Sequence, residues 1–350
     1  MKFENLILYR IDLRLFDGEM NLNKTTDTTT STGNDLSTEM KTFYSDYLIE
    51  MAEAKLVHSQ FGQKKPIPKG NGKTVEFRRY DPLPKITTAL GEGVTPDGQK
   101  LTVIPLSVDV KQYGGYVALT DVLLLTAIDN NLAQATKLLG SQAGRTLDTI
   151  TREVLNGGTN VIYATRAISH RKDIGENKLT VDCIKRAVRE LKVMNAEPVD
   201  DSFVAIIHPD CAYDLMNDNE WKYPHQYKDT ENLYNGEIGK IGGVRFVETT
   251  EAKVWPKGYK YKPTPESDEV TLSHAVYSTL VIADNAYGVV DIEGGGLEHI
   301  VKQLGSAGTA DPLNQRATAG WKATHAAVRL VEGYMVRIET ASTFDVDTAN

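Results

Sequence analysis

Cysteine is nearly absent: only Cys183 and Cys211 occur in 350 residues, too few for a disulfide framework. Long apolar runs are missing as well. No stretch of about 18 apolar residues exists to cross a bilayer as a helix. The segment Leu6–Phe16 is apolar but broken by Arg10, Asp12 and Arg14, and it lacks the cleavage pattern of a secretory signal. A cytoplasmic origin is therefore expected. There is no basic surplus either, with 39 Lys and Arg against 47 Asp and Glu and a formal net charge of -8. Proteins that grip phosphates usually show the opposite balance. Such a chain is expected to enclose nucleic acid at most, and not to read it.

What remains is ordinary for a folded protein: 41% hydrophobic and 25% charged residues, in a length that buries a sizeable core. Residues 21–35 are polar and low in complexity, with too little apolar surface to offset ordering entropy. They predict a flexible arm over 21–35. From Asp35 to His58, Met40, Phe43, Tyr44, Tyr47, Leu48 and Met51 recur at helical steps.

A long two-stranded arm is expected from Gly62 to Tyr116. Val75 and Phe77 alternate with Glu76 and Arg78 over Thr74–Tyr80, the pattern of a strand. A stretch rich in Pro, Gly and charge then runs to Lys100, and a second extended run follows from Leu101 to Ala118. Pro105 favours an edge position there. A lone hairpin of this length is marginal in water, so it calls for a partner surface.

Asp129–Leu155 is the clearest helix, with Leu132, Ala135, Leu138, Leu139, Ala143, Leu147, Ile150 and Val154 in one stripe. Lys137, Arg145, Asp148 and Arg152 lie mostly off it. Gly157-Gly158 should stop it. A second helix is expected over Val181–Met194 behind Thr180. Ser202–His208 reads as a strand buried on both faces, and Pro209 opens a further helix. Strands recur at Val244–Thr249, Ser278–Ala283 and Ala286–Ile292, so residues 179–310 form an α/β unit. Ala323–Val331 and Tyr334–Thr340 are expected to pair as a hairpin around Glu332-Gly333 and to return beside the long helix.

Three motifs suggest chemistry and fail its requirements. Gly70-Asn-Gly72-Lys73-Thr74 leads into a strand, where a phosphate loop needs a helix, and it has Ile67 in place of the first glycine. His208-Pro-Asp-Cys211 has metal-binding residue types but no second pair to complete a site, and a capped helix start accounts for it. Ser141 between Gly140 and Gly144 lies within a helix, not on a strand-to-helix turn. No catalytic, cofactor or metal site is expected.

Many short blocks in order carry a family resemblance. They include Leu36-Ser-Thr-Glu-Met-Lys-Thr-Phe-Tyr44, Phe61-Gly-Gln-Lys-Lys-Pro-Ile-Pro68, Glu92-Gly-Val-Thr-Pro-Asp-Gly98 and Gln112-Tyr-Gly-Gly-Tyr-Val117. Thr146–Gly157, Ile206–Asp210 and Gly239–Thr249 continue the series. The chain resembles the major capsid proteins of tailed bacteriophages over about Asp35 to Thr340. That resemblance implies an α+β fold with an N-terminal arm (1–35) and a peripheral domain (36–178 plus 311–345) holding the spine helix. It further implies an extended loop (62–116) and an axial domain (179–310). It implies a shell of hexamers and pentamers around double-stranded DNA, assembled in the bacterial cytoplasm with a portal and a scaffolding protein. The charged candidates for contacts between subunits are Lys73, Arg78, Arg79, Glu92 and Asp97. Phe77, Tyr80, Tyr113 and Tyr116 are the aromatic ones. A nanocompartment shell holding enzymes is one rival reading; an α/β enzyme is the other.

Overall fold

The computed structural model describes residues 22–23, 57–68, 70, 72–80, 83–89, 93, 95, 97–126, 131–221, 239–262, 268–290, 297–306 and 311–350. The expected arm, apart from residues 22–23, and the expected helix before residue 57 lie outside them. The chain forms two compact units.

In chain order the first strands are β1 (Leu22–Asn23), β2 (Gln63–Lys64), β3 (Thr74–Tyr80), β4 (Val103–Asp109) and β5 (Lys111–Thr120). Helices α1 (Asp121–Thr126) and α2 (Asn131–Asn156) follow. Next come β6 (Val161–Tyr163), α3 (Val181–Val193), β7 (Phe203–Ile207) and α4 (Pro209–Asn217). Short strands β8 (Lys240–Ile241), β9 (Val244–Glu248), β10 (Val254–Trp255), β11 (Lys260–Tyr261) and β12 (Val270–Thr271) lead to β13 (Val276–Ile282). The chain finishes with β14 (Tyr287–Val290), β15 (Glu298–Lys302), β16 (Arg316–Arg329) and β17 (Met335–Thr340).

The smaller unit holds residues 115–139 and 299–320. In it β1 runs parallel to β5, with Leu22 opposite Ala118. The Asp121 amide donates to the Gln315 carbonyl at 2.9 Å, fixing the start of α1.

The larger unit is built on a seven-stranded sheet of order β6-β17-β13-β7-β9-β8, with β10 on β13. Every residue of β7 and β13 is buried, because both faces of the sheet are covered. On one face Phe203, Ala205 and Ile207 meet Ile184, Ala187, Val188 and Leu191 of α3 and Cys211 and Leu215 of α4. On the other face Ile206, Leu280 and Ile282 pack with Leu155 of α2. Each such side chain contributes roughly 1.5–3 kcal/mol. Pro209 takes the first turn of α4, and the His208 ring accepts from the Asp210 amide at 3.2 Å as its cap. Both cysteines are buried and unbridged; burial pushes the Cys211 thiol far up.

The expected C-terminal hairpin is not formed. β16 pairs with β14, setting Val289 opposite Ala327, whereas β17 pairs with β13 and β6 in the seven-stranded sheet. A single 3-10 turn at Glu332–Tyr334 separates two strands that go to different sheets. Their alternation is real, but their partners lie far away in sequence. By the same pairing β14, expected among the 179–310 strands, joins β16 and β2.

The long helix α2 is 26 residues, about 39 Å at 1.5 Å rise. Its stripe needs correction. Leu138 is 54% exposed, while Asp148 and Arg152 are among the most buried residues of the chain. Both are buried because both are satisfied. The Asp148 carboxylate accepts from the His58 amide at 2.8 Å and faces its Nδ1 at 2.7 Å. Arg152 donates to the Glu251 carbonyl at 2.8 Å and to Glu153 Oε1 at 2.9 Å. One turn along, Thr151 Oγ1 meets His325 Nε2 at 2.8 Å. The helix ends as expected at Gly157, whose amide donates to the Glu153 carbonyl at 3.0 Å. Arg337 donates to the Asn156 carbonyl, a cation placed where the helix dipole favours it.

Candidate functional site

The functional candidate is the β3–β4 hairpin, which lies wholly in the larger unit. Its seven pairs run from Thr74 opposite Asp109 to Tyr80 opposite Val103. The paired part is therefore shorter than the arm expected from Gly62 to Tyr116. β2 is taken up by β14, and β5 is a separate ten-residue strand. At strand rise seven pairs reach about 23 Å. Pro105 sits in a two-stranded sheet, where both strands are edges and its missing N–H costs no ladder bond.

The inner half of the hairpin is docked on its own chain. Val75 and Phe77 are buried with Ile67, Val110, Val290 and Ala326, and Leu106 and Val108 pack against that cluster. Phe77 occupies the space over Gly288, where a Cβ would fall 2.6 Å from the ring. Only glycine admits the ring there. Lys65 closes the joint from outside: its Nζ donates to the Glu76 carbonyl at 2.9 Å and lies 5.2 Å from the Phe77 centroid. The Val110 amide donates to the Lys73 carbonyl at 2.8 Å, and Thr74 Oγ1 donates to Asp109 Oδ1 at 2.5 Å.

The outer half is different. Tyr80 is 59% exposed, Leu83 50%, Ile86 68%, Leu101 62% and Val103 43%. Gln99 Nε2 donates to the Pro84 carbonyl at 3.1 Å and ties the limbs together beyond the last pair. Scattered exposed leucines are normal on a protein surface. Five large apolar side chains on the outer part of one hairpin are a patch of the kind that marks an interaction site.

The nine sequence candidates fall into distinct places. Lys73, Arg78, Tyr80, Asp97 and Tyr116 are exposed, while Arg79 and Tyr113 are half-buried. Arg78 Nε donates to Glu76 Oε1 at 3.0 Å on the same strand, an exposed pair of little energetic weight. Glu92 lies outside the described residues. Phe77 departs from the expectation, since it is buried in its own chain and roots the hairpin where a contact to a neighbour was anticipated. Leu83, Ile86, Leu101 and Val103, exposed on the outer part, were not among the sequence candidates. The signal for them was available: apolar residues inside a segment otherwise rich in proline, glycine and charge.

Comparison with known proteins bears on what such a hairpin does. A family profile described as phage capsid protein matches residues 103–338. No curated protein matches the sequence. Among solved structures, the capsid of cyanophage P-SCSP1u aligns with TM-score 0.62 at 14% identity, covering 91% of this chain and 100% of that one. The capsid of Ralstonia phage GP4 aligns with TM-score 0.63 at 13% identity, covering 92% and 100%. The acid-stable capsid of Helicobacter pylori bacteriophage KHP30 aligns with TM-score 0.55 at 11% identity, covering 97% and 100%. At such identities the likeness establishes the fold, the α+β fold of tailed-phage capsid proteins.

Proposed function

The chain belongs to the phage capsid protein family, and on that premise we propose that it assembles into hexamers and pentamers forming an icosahedral shell around double-stranded DNA. The observation that carries this reading is the contrast within the hairpin. Its inner half is bonded to its own chain, and its outer half presents Tyr80, Leu83, Ile86, Leu101 and Val103 to solvent. In a shell this outer half lies on the next copy, and repeated contacts of that kind accumulate the large interface areas of obligate assemblies. The unit around 179–310 supplies the axial contacts, and residues 36–178 with 311–345 supply the periphery. A portal and a scaffolding protein complete the partners, with assembly in the host cytoplasm. The chain works as a building block and not as a catalyst.

The test is expression with and without a scaffolding protein, followed by electron microscopy and sizing. Closed shells, or capsomers that convert to shells, are the expected outcome. A stable monomer across salt and concentration would end the proposal.

A further inference from the structure

The residues after β17 are held by different means from the strand itself. β17 is buried at every position but Arg337, whereas Thr343, Phe344, Asp345 and residues 347–350 are exposed. Apolar contacts of this segment are few. Val346 packs against the core that α3 and α4 cover, and Phe344 meets Tyr213 edge-on at 5.4 Å. Polar anchors do the rest, in three places. The first is Asp214 of α4, which is only 7% exposed. Its carboxylate accepts from Ser342 Oγ at 2.7 Å, from the Thr343 amide at 2.8 Å and from the Thr343 hydroxyl. Lys178 Nζ donates to that same hydroxyl at 2.8 Å and stands 3.9 Å from Asp214. Thr343 thus sits between a cation and a buried anion. The second anchor is the chain leading into β13, where the Ala275 amide donates to Asp345 Oδ1 at 2.7 Å and the Lys257 amide to the Val346 carbonyl at 3.0 Å. The third is Asn350. Its side chain accepts from the Val254 amide at 3.1 Å, and its carbonyl accepts from Arg152 of α2 at 3.0 Å.

We propose that residues 342–350 form a strap that opens as one piece, with Thr343 as its fastening. The strap ties α4, the chain from Val254 to Ala275 and α2 to one another, and all three loosen when it lifts. Asp214 keeps it shut, because a buried carboxylate stripped of its donors is costly. The other anchors are weaker, since Asp345 and Asn350 are exposed and water competes for their bonds. Once Ser342 and Thr343 leave Asp214, those outer bonds no longer outweigh the freedom that the backbone regains. Segments with so little buried apolar surface open well below the cost of global unfolding. The Val254, Lys257 and Ala275 amides lose their acceptors in the same event, so the strap sets the mobility of residues 254–275. A negative charge at position 343 is the natural way to spring it, by repulsion from Asp214. This device needs no second copy and is independent of the shell reading.

The experiment is amide hydrogen exchange on the full chain, read by mass spectrometry with fragmentation to single residues. In the wild type the amides at 343, 254, 257 and 275 should share one protection factor, agreeing within about threefold and far below that of Phe203–Ile207 in β7. Thr343→Asp sets a carboxylate against Asp214 and should lower all four protection factors about tenfold or more, leaving β7 unchanged. Thr343→Ser keeps the hydroxyl and should stay within about twofold of the wild type at all four. Wild-type protection that differs by more than about tenfold among the four amides overturns the proposal, because the anchors then open separately. So does a folded Thr343→Asp variant in which position 343 alone exchanges faster, or none of the four does. Where Thr343→Asp loses its fold, the wild-type comparison decides by itself.

Discussion

The two halves of the β3–β4 hairpin both carry large apolar side chains, in opposite situations. In the inner half Val75 and Phe77 alternate with polar residues and are buried against the larger unit's own cluster. In the outer half Tyr80, Leu83, Ile86, Leu101 and Val103 are as apolar and remain in water. The difference lies in what the chain offers opposite them. The inner half meets Gly288, a floor without a side chain, and the Lys65 strap; Tyr80 and Val103 stand on the opposite face of the same strands from Phe77, and Leu83, Ile86 and Leu101 lie beyond the last pair. An apolar side chain does not specify its partner molecule. The same hydrophobic driving force that builds the intramolecular joint in one half would, on the proposed reading, build an intermolecular contact in the other.

The largest effect should come from removing the outer half. Replacing residues 82–102 with a two-residue Asn-Gly turn should leave a chain that unfolds cooperatively and forms no shells by electron microscopy; normal shells would show that the halves do not differ in role. Next in size is the root. Phe77→Ala opens a cavity over Gly288 and should cost about 3–5 kcal/mol in urea unfolding of the unassembled chain. A clearly smaller loss would mean that the hairpin is loosely seated. Leu83→Ser with Ile86→Ser should change that same stability by no more than about 0.5 kcal/mol while abolishing assembly. Stability and assembly thereby separate along one hairpin.

The smallest effect calibrates the rest with an ordinary half-exposed ion pair. Burial raises the Glu153 carboxyl, but bonds from Lys253 and Arg152 outweigh it and hold the group below its usual value. A carboxyl depressed in the folded state stabilises above its unfolded pKa, and the contribution is lost as pH falls through the folded value. Glu153→Gln should therefore lower Tm slightly at neutral pH and flatten its decline below about pH 4.5. An unchanged acid profile would show that Lys253 and Arg152 do not act on this carboxyl.

Much of the element order is legible from local pattern. Thr74–Tyr80 is a strand at the expected bounds, α3 begins behind Thr180, and Pro209 opens α4. The buried face of α3 is the expected Ile184, Ala187, Val188 and Leu191. These succeed because hydrophobic period, proline geometry and helix ends act within a few residues. The failures are all non-local. Asp148 and Arg152 look solvent-facing until His58 and the carbonyl of Glu251 are brought to them. Phe77 looks like an interface aromatic until Gly288, over two hundred positions away, is placed beneath it. The family blocks suggested the arm as the working part, but they did not separate its root from its tip.

By itself, then, the sequence determined the strand period of Thr74–Tyr80, the long helix read over Asp129–Leu155 and found over Asn131–Asn156, and the turns that end them, because these depend on neighbours in the chain. Only the tertiary structure decided that β16 and β17 part to different sheets, that Asp148 and Arg152 of α2 are buried, and that the hairpin is anchored to its own chain over one half of its length. Those outcomes depend on which distant groups satisfy a carboxylate, fill a glycine floor or complete a ladder, and no spacing along the chain records that meeting.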